Sequence, residues 1–205
     1  MYRKFFKRFL DLFLSALGII VLAIPMLVIA ILIKLDSPGK VLFKQKRVGI
    51  HKEAFSILKF RSMYSDTPKN VPTHALQDAK SHITRFGAWM RKMSVDELPQ
   101  IFCIFMGTMS IIGPRPALFN QTDLIEERDK YGANDVKPGL TGLAQIRGRD
   151  ELPIDVKAAL DGEYVQKMSF LFDVKLFFQT IWSVLKSDGV VEGATVSEKE
   201  EVAAK

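Results

Sequence analysis

Hydrophobic and polar positions divide the chain into an N-terminal apolar block and a longer remainder of short alternating and helical segments. Leu12 to Ile33 carries no charge and is bounded by Asp11 and Lys34. As a straight helix rising about 1.5 Å per residue it would reach roughly 33 Å, enough for a hydrocarbon layer of about 30 Å. The run is longer than a signal-peptide core and no small-x-small cleavage site follows it, so the pattern predicts a membrane helix. Pro25 lies in its middle and removes the hydrogen bond to the Val21 carbonyl, which allows a sharp bend. Arg3, Lys4, Lys7 and Arg8 precede the run, and Lys34, Lys40, Lys44, Lys46 and Arg47 follow it. The positive-inside tendency therefore draws both flanks toward the cytoplasm. A bent helix that dips in and returns satisfies both flanks, whereas a straight span satisfies one; prolines are common in kinked spans, so both readings stand. Tyr2, Phe5, Phe6 and Phe9 interleave with the basic residues, as interfacial anchors do.

Ser37-Pro38-Gly39 is a turn signal. Alternation then predicts strands over Val41 to Val48 and Glu53 to Phe60, joined around Gly49-Ile50-His51-Lys52 into a hairpin. Asp66 to Asp78, with Pro68, Asn70 and Pro72, has weak periodicity and is expected to be a surface loop. Ser81 to Met93 fits a helix with Ile83, Phe86, Met90 and Met93 on one face. From Ile101 to Ile112 the chain is strongly apolar but too short to span a bilayer, which predicts a buried or interfacial helix ending at Gly107 or Gly113. Leu152 to Met168 predicts a polar helix entered through Pro153. From Asp173 onward Val174, Phe177, Phe178, Ile181 and Leu185 keep helical spacing; aromatic stripes more often face a core than an interface, so core contact is expected. The Glu/Lys/Ala-rich end is expected to be a disordered tail. The division is an anchor over 1–36, one domain over 37–190 and a tail over 191–205.

Charge narrows the partners. Lys and Arg number 29 against 23 Asp and Glu, a formal +6, which favours phosphates, acidic lipid or nucleic acid without choosing among them. Cys103 is the only cysteine, so no disulfide forms within the chain, and its apolar neighbours predict a packed, inert thiol. Ser94-Val95-Asp96-Glu97-Leu98-Pro99-Gln100 places adjacent carboxylates at the mouth of an expected helix. Ser94 and Glu97 have the spacing of a capping box. In a helix capped at Ser94, however, Pro99 would delete the bond to the Val95 carbonyl, so a start nearer Pro99 is the alternative. Either way the carboxylates sit at the electropositive helix end, where the ionised form is favoured. An ionised Asp96 is suited to nucleophilic attack or to metal binding. Acidic pairs are commonplace helix-start chemistry, so their company decides. That company is cationic: the hairpin carries Lys59, Arg91 leads into the pair, and Gly113-Pro114-Arg115-Pro116 presents a guanidinium from a stiff turn suited to bidentate phosphate contact. Lys137-Pro138-Gly139 through Gly148-Arg149 is a second basic, glycine-punctuated stretch whose glycines allow backbone N–H groups to approach an anion. It lacks the order of a Walker loop or a dinucleotide fingerprint.

These segments together resemble the small monotopic phosphoglycosyltransferases, or bacterial sugar transferases. The matching residues are Lys7-Arg8 with Asp11, Lys59-Phe60-Arg61-Ser62-Met63, Ser94 to Gln100, Met109-Ser110, Gly113-Pro114-Arg115-Pro116, Lys137-Pro138-Gly139 with Thr141-Gly142-Leu143-Ala144-Gln145, Gly148-Arg149, and Asp173. They occur in order over about the first 180 residues. The resemblance implies an α+β fold, mostly helical, with a small β-hairpin, a re-entrant N-terminal membrane helix and interfacial amphipathic helices. It implies that Asp96 attacks the β-phosphorus of a UDP-sugar and expels UMP. A polyprenyl phosphate, typically undecaprenyl phosphate, then takes the phosphosugar. By the same resemblance Mg2+ is held at Asp96 and Glu97, Glu97 assists through metal or proton handling, and Arg115 holds phosphate. Lys59, Arg91, Arg149 and Asp173 match positions that line the site. The implied partners are the UDP-sugar, the polyprenyl phosphate and the cytoplasmic face of a bacterial inner membrane; nucleic acid is not among them, and a homodimer is compatible with it. Two other classes fit the residues alone: a magnesium-dependent sugar-nucleotide hydrolase, with Glu97 activating water, and a basic membrane-docked scaffold whose carboxylates only cap a helix.

Overall fold

A computed structural model of the 205-residue chain describes residues 2–68, 79–148 and 152–186. The expected tail, and most of the loop expected over Asp66 to Asp78, lie outside the described residues. The observed elements are mostly helical, with two two-stranded sheets. Helix α1 spans Lys7–Asp36 with Pro25 inside it, and is long and apolar enough to cross a membrane. Its middle is bare: Ile20, Val21, Ile24 and Leu27 are all more than 60% exposed. A core helix of a water-soluble domain would not leave that much aliphatic surface uncovered.

Both ends of α1 are fastened by polar contacts. At its start, Lys7 Nζ donates to Asp173 Oδ2 at 2.6 Å, and Asp11 accepts from the Ile111 N–H at 3.0 Å. Arg8 donates to the carbonyls of Ile104 (2.7 Å) and Phe105 (2.8 Å) in the last turn of helix α3, Gln100–Met106. At the far end Arg61 donates to the carbonyls of Ser37 (2.6 Å) and Pro38. Asp36 accepts from the Phe86 N–H, 3.4 Å away, at the start of helix α2, Arg85–Lys92. Ile29 and Ile33 pack there with Phe60 and Met90.

Strands β1, Leu42–Val48, and β2, Ala54–Phe60, form the expected antiparallel hairpin, pairing Leu42 with Phe60 and Val48 with Ala54. Of the two ends expected for the apolar helix, Gly107 and Gly113, the first is the one adopted. Gly107, at φ +90°, closes α3, and a Cβ there would stand 3.1 Å from the Arg8 guanidinium. Ser110–Ile112 is instead strand β3, paired in parallel with strand β4, Gly139–Thr141. This pairing also redefines the glycine-punctuated stretch. A Cβ on Gly139 would lie 2.1 Å from the Gly113 nitrogen and one on Gly142 2.1 Å from the Gly113 carbonyl oxygen, so these two glycines admit the close approach of β4 to the end of β3. Helices α4, Thr122–Asp129, α5, Leu143–Arg147, and α6, Ile154–Lys167, follow.

Helix α7, Phe170–Lys186, turns the face opposite to the one expected toward the core. Val174, Phe177, Phe178, Ile181 and Trp182 are exposed, whereas Asp173 and Leu176 are buried. The reason is that its buried polar residues have partners. Asp173 accepts from Lys7, Tyr2 and Tyr164, and Thr180 bonds Thr141 at 2.8 Å. Satisfied polar groups tolerate burial, so the apolar stripe is left outside.

The Lys7–Asp173 pair is nearly closed off from solvent, with side-chain exposures of 11% and 9%. Asp173→Ala strands a buried ammonium and should lower the unfolding free energy by about 3–5 kcal/mol, whereas Tyr2→Phe should cost only about 1 kcal/mol. Unfolding in detergent micelles, monitored by circular dichroism, checks that order.

Candidate active site

Strand alternation supplies the first functional side chain. Phe55, Ile57 and Lys59 share one face of β2; Ile57 packs against Cys103 and Ile104 of α3, and Lys59 reaches past that core. Cys103 itself is fully buried, the packed thiol expected, and burial raises its pKa.

The second is supplied by the turn between α2 and α3. Ser94 adopts φ +55°, the left-handed region, and its side chain makes no capping bond. Val95–Glu97 is a single 3-10 turn, and α3 starts only after Pro99. The capping box therefore does not form, and the alternative start near Pro99 is the one adopted. Freed from a cap, Glu97 turns to cations: its Oε1 accepts from Lys59 Nζ at 2.6 Å and from Arg115 Nη2 at 2.8 Å, and its Oε2 from Arg115 Nη1 at 3.3 Å.

Backbone carbonyls hold Arg115 in place. Pro114 O accepts from the Gly139 N–H (2.8 Å), Arg115 O from Arg128 Nη2 (2.9 Å) and Pro116 O from Arg47 Nη1 (3.0 Å). Donors from β4, α4 and β1 thus pin the Pro-Arg-Pro turn that presents the guanidinium.

Glu97 and Asp96 are driven in opposite directions. Burial pushes the Glu97 carboxyl up, but the charges and hydrogen bonds of Arg115 and Lys59 override it and hold it well below the usual carboxylate range. Asp96, 7% exposed, is pushed above that range by burial and by its ionised neighbour Glu97, against the pull of Lys59, Arg91 and Arg115. One carboxylate is a fixed anion and the other holds its proton more tightly, an arrangement found where adjacent acids take different roles.

The structure brings Asp96, Glu97, Lys59, Arg91 and Arg115 together. It sets Asp173 apart, in the cluster at the start of α1. Arg149 lies outside the described residues. A small cleft beside the dyad is lined by Arg47, Ile57, Lys59, Gln100, Arg115 and Pro116. Arg47 and Gln100 were missed as cleft residues. Arg47 is one of several hairpin cations whose local pattern fits a solvated basic face as well as phosphate contact, and nothing in the local pattern marks Gln100, which is 2% exposed.

Among the described residues no third carboxylate, histidine or cysteine joins Asp96 and Glu97. That donor set suits magnesium, which keeps several waters and takes one or two carboxylates with substrate phosphates. Three contacts on Glu97 leave one of its roughly four lone-pair positions open. The fit is therefore adequate, with Asp96 the less committed of the two carboxylates.

A shielded carboxylate pair ringed by cations, beside an uncovered apolar helix, is an arrangement chemically suited to phosphorylated substrates. The family follows from comparison. The chain belongs to the bacterial sugar transferase family, whose profile matches residues 2–187, and is an enzyme of the phosphoglycosyltransferase kind. It is 39% identical to the exopolysaccharide production protein PSS of Rhizobium leguminosarum bv. phaseoli, over 87% of this chain and 94% of that protein. It is 41% identical to the undecaprenyl-phosphate glucose phosphotransferase of Komagataeibacter xylinus, over 85% of this chain but only 35% of that longer protein. It is 38% identical to the UDP-glucose:undecaprenyl-phosphate glucose-1-phosphate transferase of Caulobacter vibrioides, over 89% of this chain and 70% of that protein.

Asp96→Asn tests the electrostatics without substrate. A carboxyl whose pKa is raised on folding contributes stability that is full below the unfolded pKa and lost as pH rises through the folded one. The variant should therefore be more stable than the parent near about pH 8, with the gain shrinking toward about pH 4. Thermal melts across that range check it; an unchanged difference would mean that Asp96 is not perturbed.

Proposed function

We propose that this chain transfers a sugar 1-phosphate from a UDP-sugar to a polyprenyl phosphate, of the undecaprenyl type, at the cytoplasmic face of a bacterial inner membrane. The observation that carries the reading is the pairing of one committed and one perturbed carboxylate beneath Lys59 and Arg115. The diphosphate of the incoming nucleotide competes with Glu97 for those two cations, which are the groups able to neutralise it. An anionic nucleophile approaches a phosphoanhydride only after such neutralisation. An Asp96 carboxylate oxygen then bonds to the β-phosphorus, and the bond from that phosphorus to the bridging oxygen breaks, with UMP keeping the oxygen and the electron pair. Glu97, released from Lys59 and Arg115 as the diphosphate takes them over, then takes up the proton that Asp96 gives up. Magnesium, when bound at the dyad, would supply further neutralisation of the phosphate oxygens. In the second half, a phosphate oxygen of the lipid carrier bonds to the same phosphorus and displaces the Asp96 carboxylate. Splitting the reaction this way suits substrates of unlike solubility, since the phosphosugar waits on the protein between a water-borne donor and a lipid-borne acceptor. Relatives are named for glucose in Komagataeibacter xylinus and for N-acetylgalactosamine in Aeromonas hydrophila, so the reading stops at a UDP-sugar. Exopolysaccharide assembly is the process that the Rhizobium relative's name suggests.

The same reading makes α1 re-entrant. Its start is tied to α3 and α7, and its end to α2 and β2, all parts of one domain. A crossing helix would have to put one of those docking surfaces on the far side of the bilayer. The exposed stripe of α7 continues this membrane-facing surface, since Phe170 meets Tyr2 edge-on at 6.4 Å beside the aromatic start of α1. Its ligand is accordingly the bilayer interface.

Two measurements test this. With a UDP-sugar and Mg2+ but no lipid, the enzyme should release about one equivalent of UMP and carry a phosphosugar on Asp96, seen by peptide mass spectrometry. Asp96→Asn should lose at least about a thousandfold in transfer; normal turnover by that variant, or continuous lipid-independent turnover by the parent, sinks the mechanism. In a Cys103→Ala background, single cysteines at Tyr2 and Lys40 should both react from the cytoplasmic side. Labelling on opposite faces would make α1 a span.

A further inference from the structure

Helix α4 carries Arg128, which is 4% exposed, and α6 carries Asp161, which is 1% exposed. Arg128 Nε and Nη2 both donate to Asp161 Oδ2, at 2.9 and 2.6 Å, and the same Nη2 donates to the Arg115 carbonyl at 2.9 Å. Neither residue touches the dyad. Their neighbours Ala117, Leu124 and Ala158 form a small apolar core into which a hydrophobic pair of similar volume would fit. A buried ion pair is in general no more stabilising than such a replacement, because both charges are stripped of water. Stability alone is thus a poor reason for it here, particularly as Asp161 Oδ1 is buried with no hydrogen-bond partner. What an apolar pair would not do is hold the Arg115 carbonyl. That carbonyl precedes Pro116, so its position sets the turn from which the guanidinium leaves for Glu97.

We propose that Arg128, aimed by Asp161, is a positioning residue that fixes where the Arg115 guanidinium meets the substrate diphosphate. The inference rests on the reading of Arg115 as a phosphate-binding group. Arg128→Lys keeps the charge but loses Nε and the rigid plane that aims Nη2, so the nitrogen that reaches the Arg115 carbonyl is no longer held in place. Misplacement of a positioned group by about 1 Å can cost about a hundredfold in rate.

The test is a double-mutant cycle on the full chain in lipid nanodiscs, reading kcat/KM for UMP release and the affinity for pyrophosphate. Arg128→Lys should lower kcat/KM by about 10- to 100-fold in the parent, yet by less than about twofold when Arg115 is already Ala. Pyrophosphate affinity should follow the same non-additive pattern. Arg128→Met with Asp161→Leu should melt no lower than the parent and still show the loss in kcat/KM. That pair also serves if Arg128→Lys fails to fold. Equal losses in both Arg115 backgrounds, or full activity in the Met/Leu pair, overturn the relay while leaving the transferase reading intact. A parent enzyme that releases no UMP from any UDP-sugar overturns the transferase reading instead, and the pyrophosphate cycle then still decides the relay.

Discussion

The architecture depends on a carboxylate held between two cations that are remote in sequence. Glu97 meets Lys59, from the second strand of the hairpin, and Arg115, from a proline-locked turn, with side-chain exposures of 16% for Glu97 and Lys59 and 34% for Arg115. Removing charge from water is costly, and only good geometry offsets the cost. The hairpin, the turn before α3 and the loop after β3 must therefore arrive together. Once they do, Asp96 is carried into a buried place beside a fixed negative charge, and its perturbation follows from the position of its neighbour.

The two ends of the apolar helix show the same constraint. Each is secured by charged groups that satisfy backbone or side-chain partners on the domain: Arg8 on the carbonyls ending α3, Arg61 on the carbonyls ending α1, and Lys7 on Asp173. Between these ties the helix presents bare aliphatic surface. The anchor is therefore an integral wall of the domain rather than an appended tether. Ile101 Cδ1 lies over Gly18, where an added Cβ would come within 2.5 Å of it, so this glycine makes room for the Ile101 side chain and lets α1 and α3 pack closely.

Local pattern was a good guide where the responsible forces are local. Hydropathy marked the long apolar helix, alternation marked both strands of the hairpin to within a residue or so, and Pro153 marked the entry to α6. It failed where a distant partner decided. Ile111 and Ile112 continue an apolar run, yet they extend as a strand because residues 139–141 lie alongside. Ser94 has the spacing of a cap, but the path to α3 requires a left-handed turn there, and Glu97 finds Lys59 and Arg115 a stronger attraction than a backbone N–H. The stripe on α7 was assigned to the core because apolar residues usually are; buried partners for Asp173 and Thr180 reversed the helix.

By itself, then, the sequence determined which segments are helical, extended or membrane-seeking, and which residues carry the charge, because propensity, period and hydropathy act over a few neighbours. Through its ordered motifs it also determined the family. Only the tertiary structure decided which cations serve the dyad, that Asp173 belongs to the base of the anchor helix, and that Arg128 and Asp161 stand behind Arg115. Those assignments depend on which buried charges find partners across long separations in the chain, and no local pattern records that.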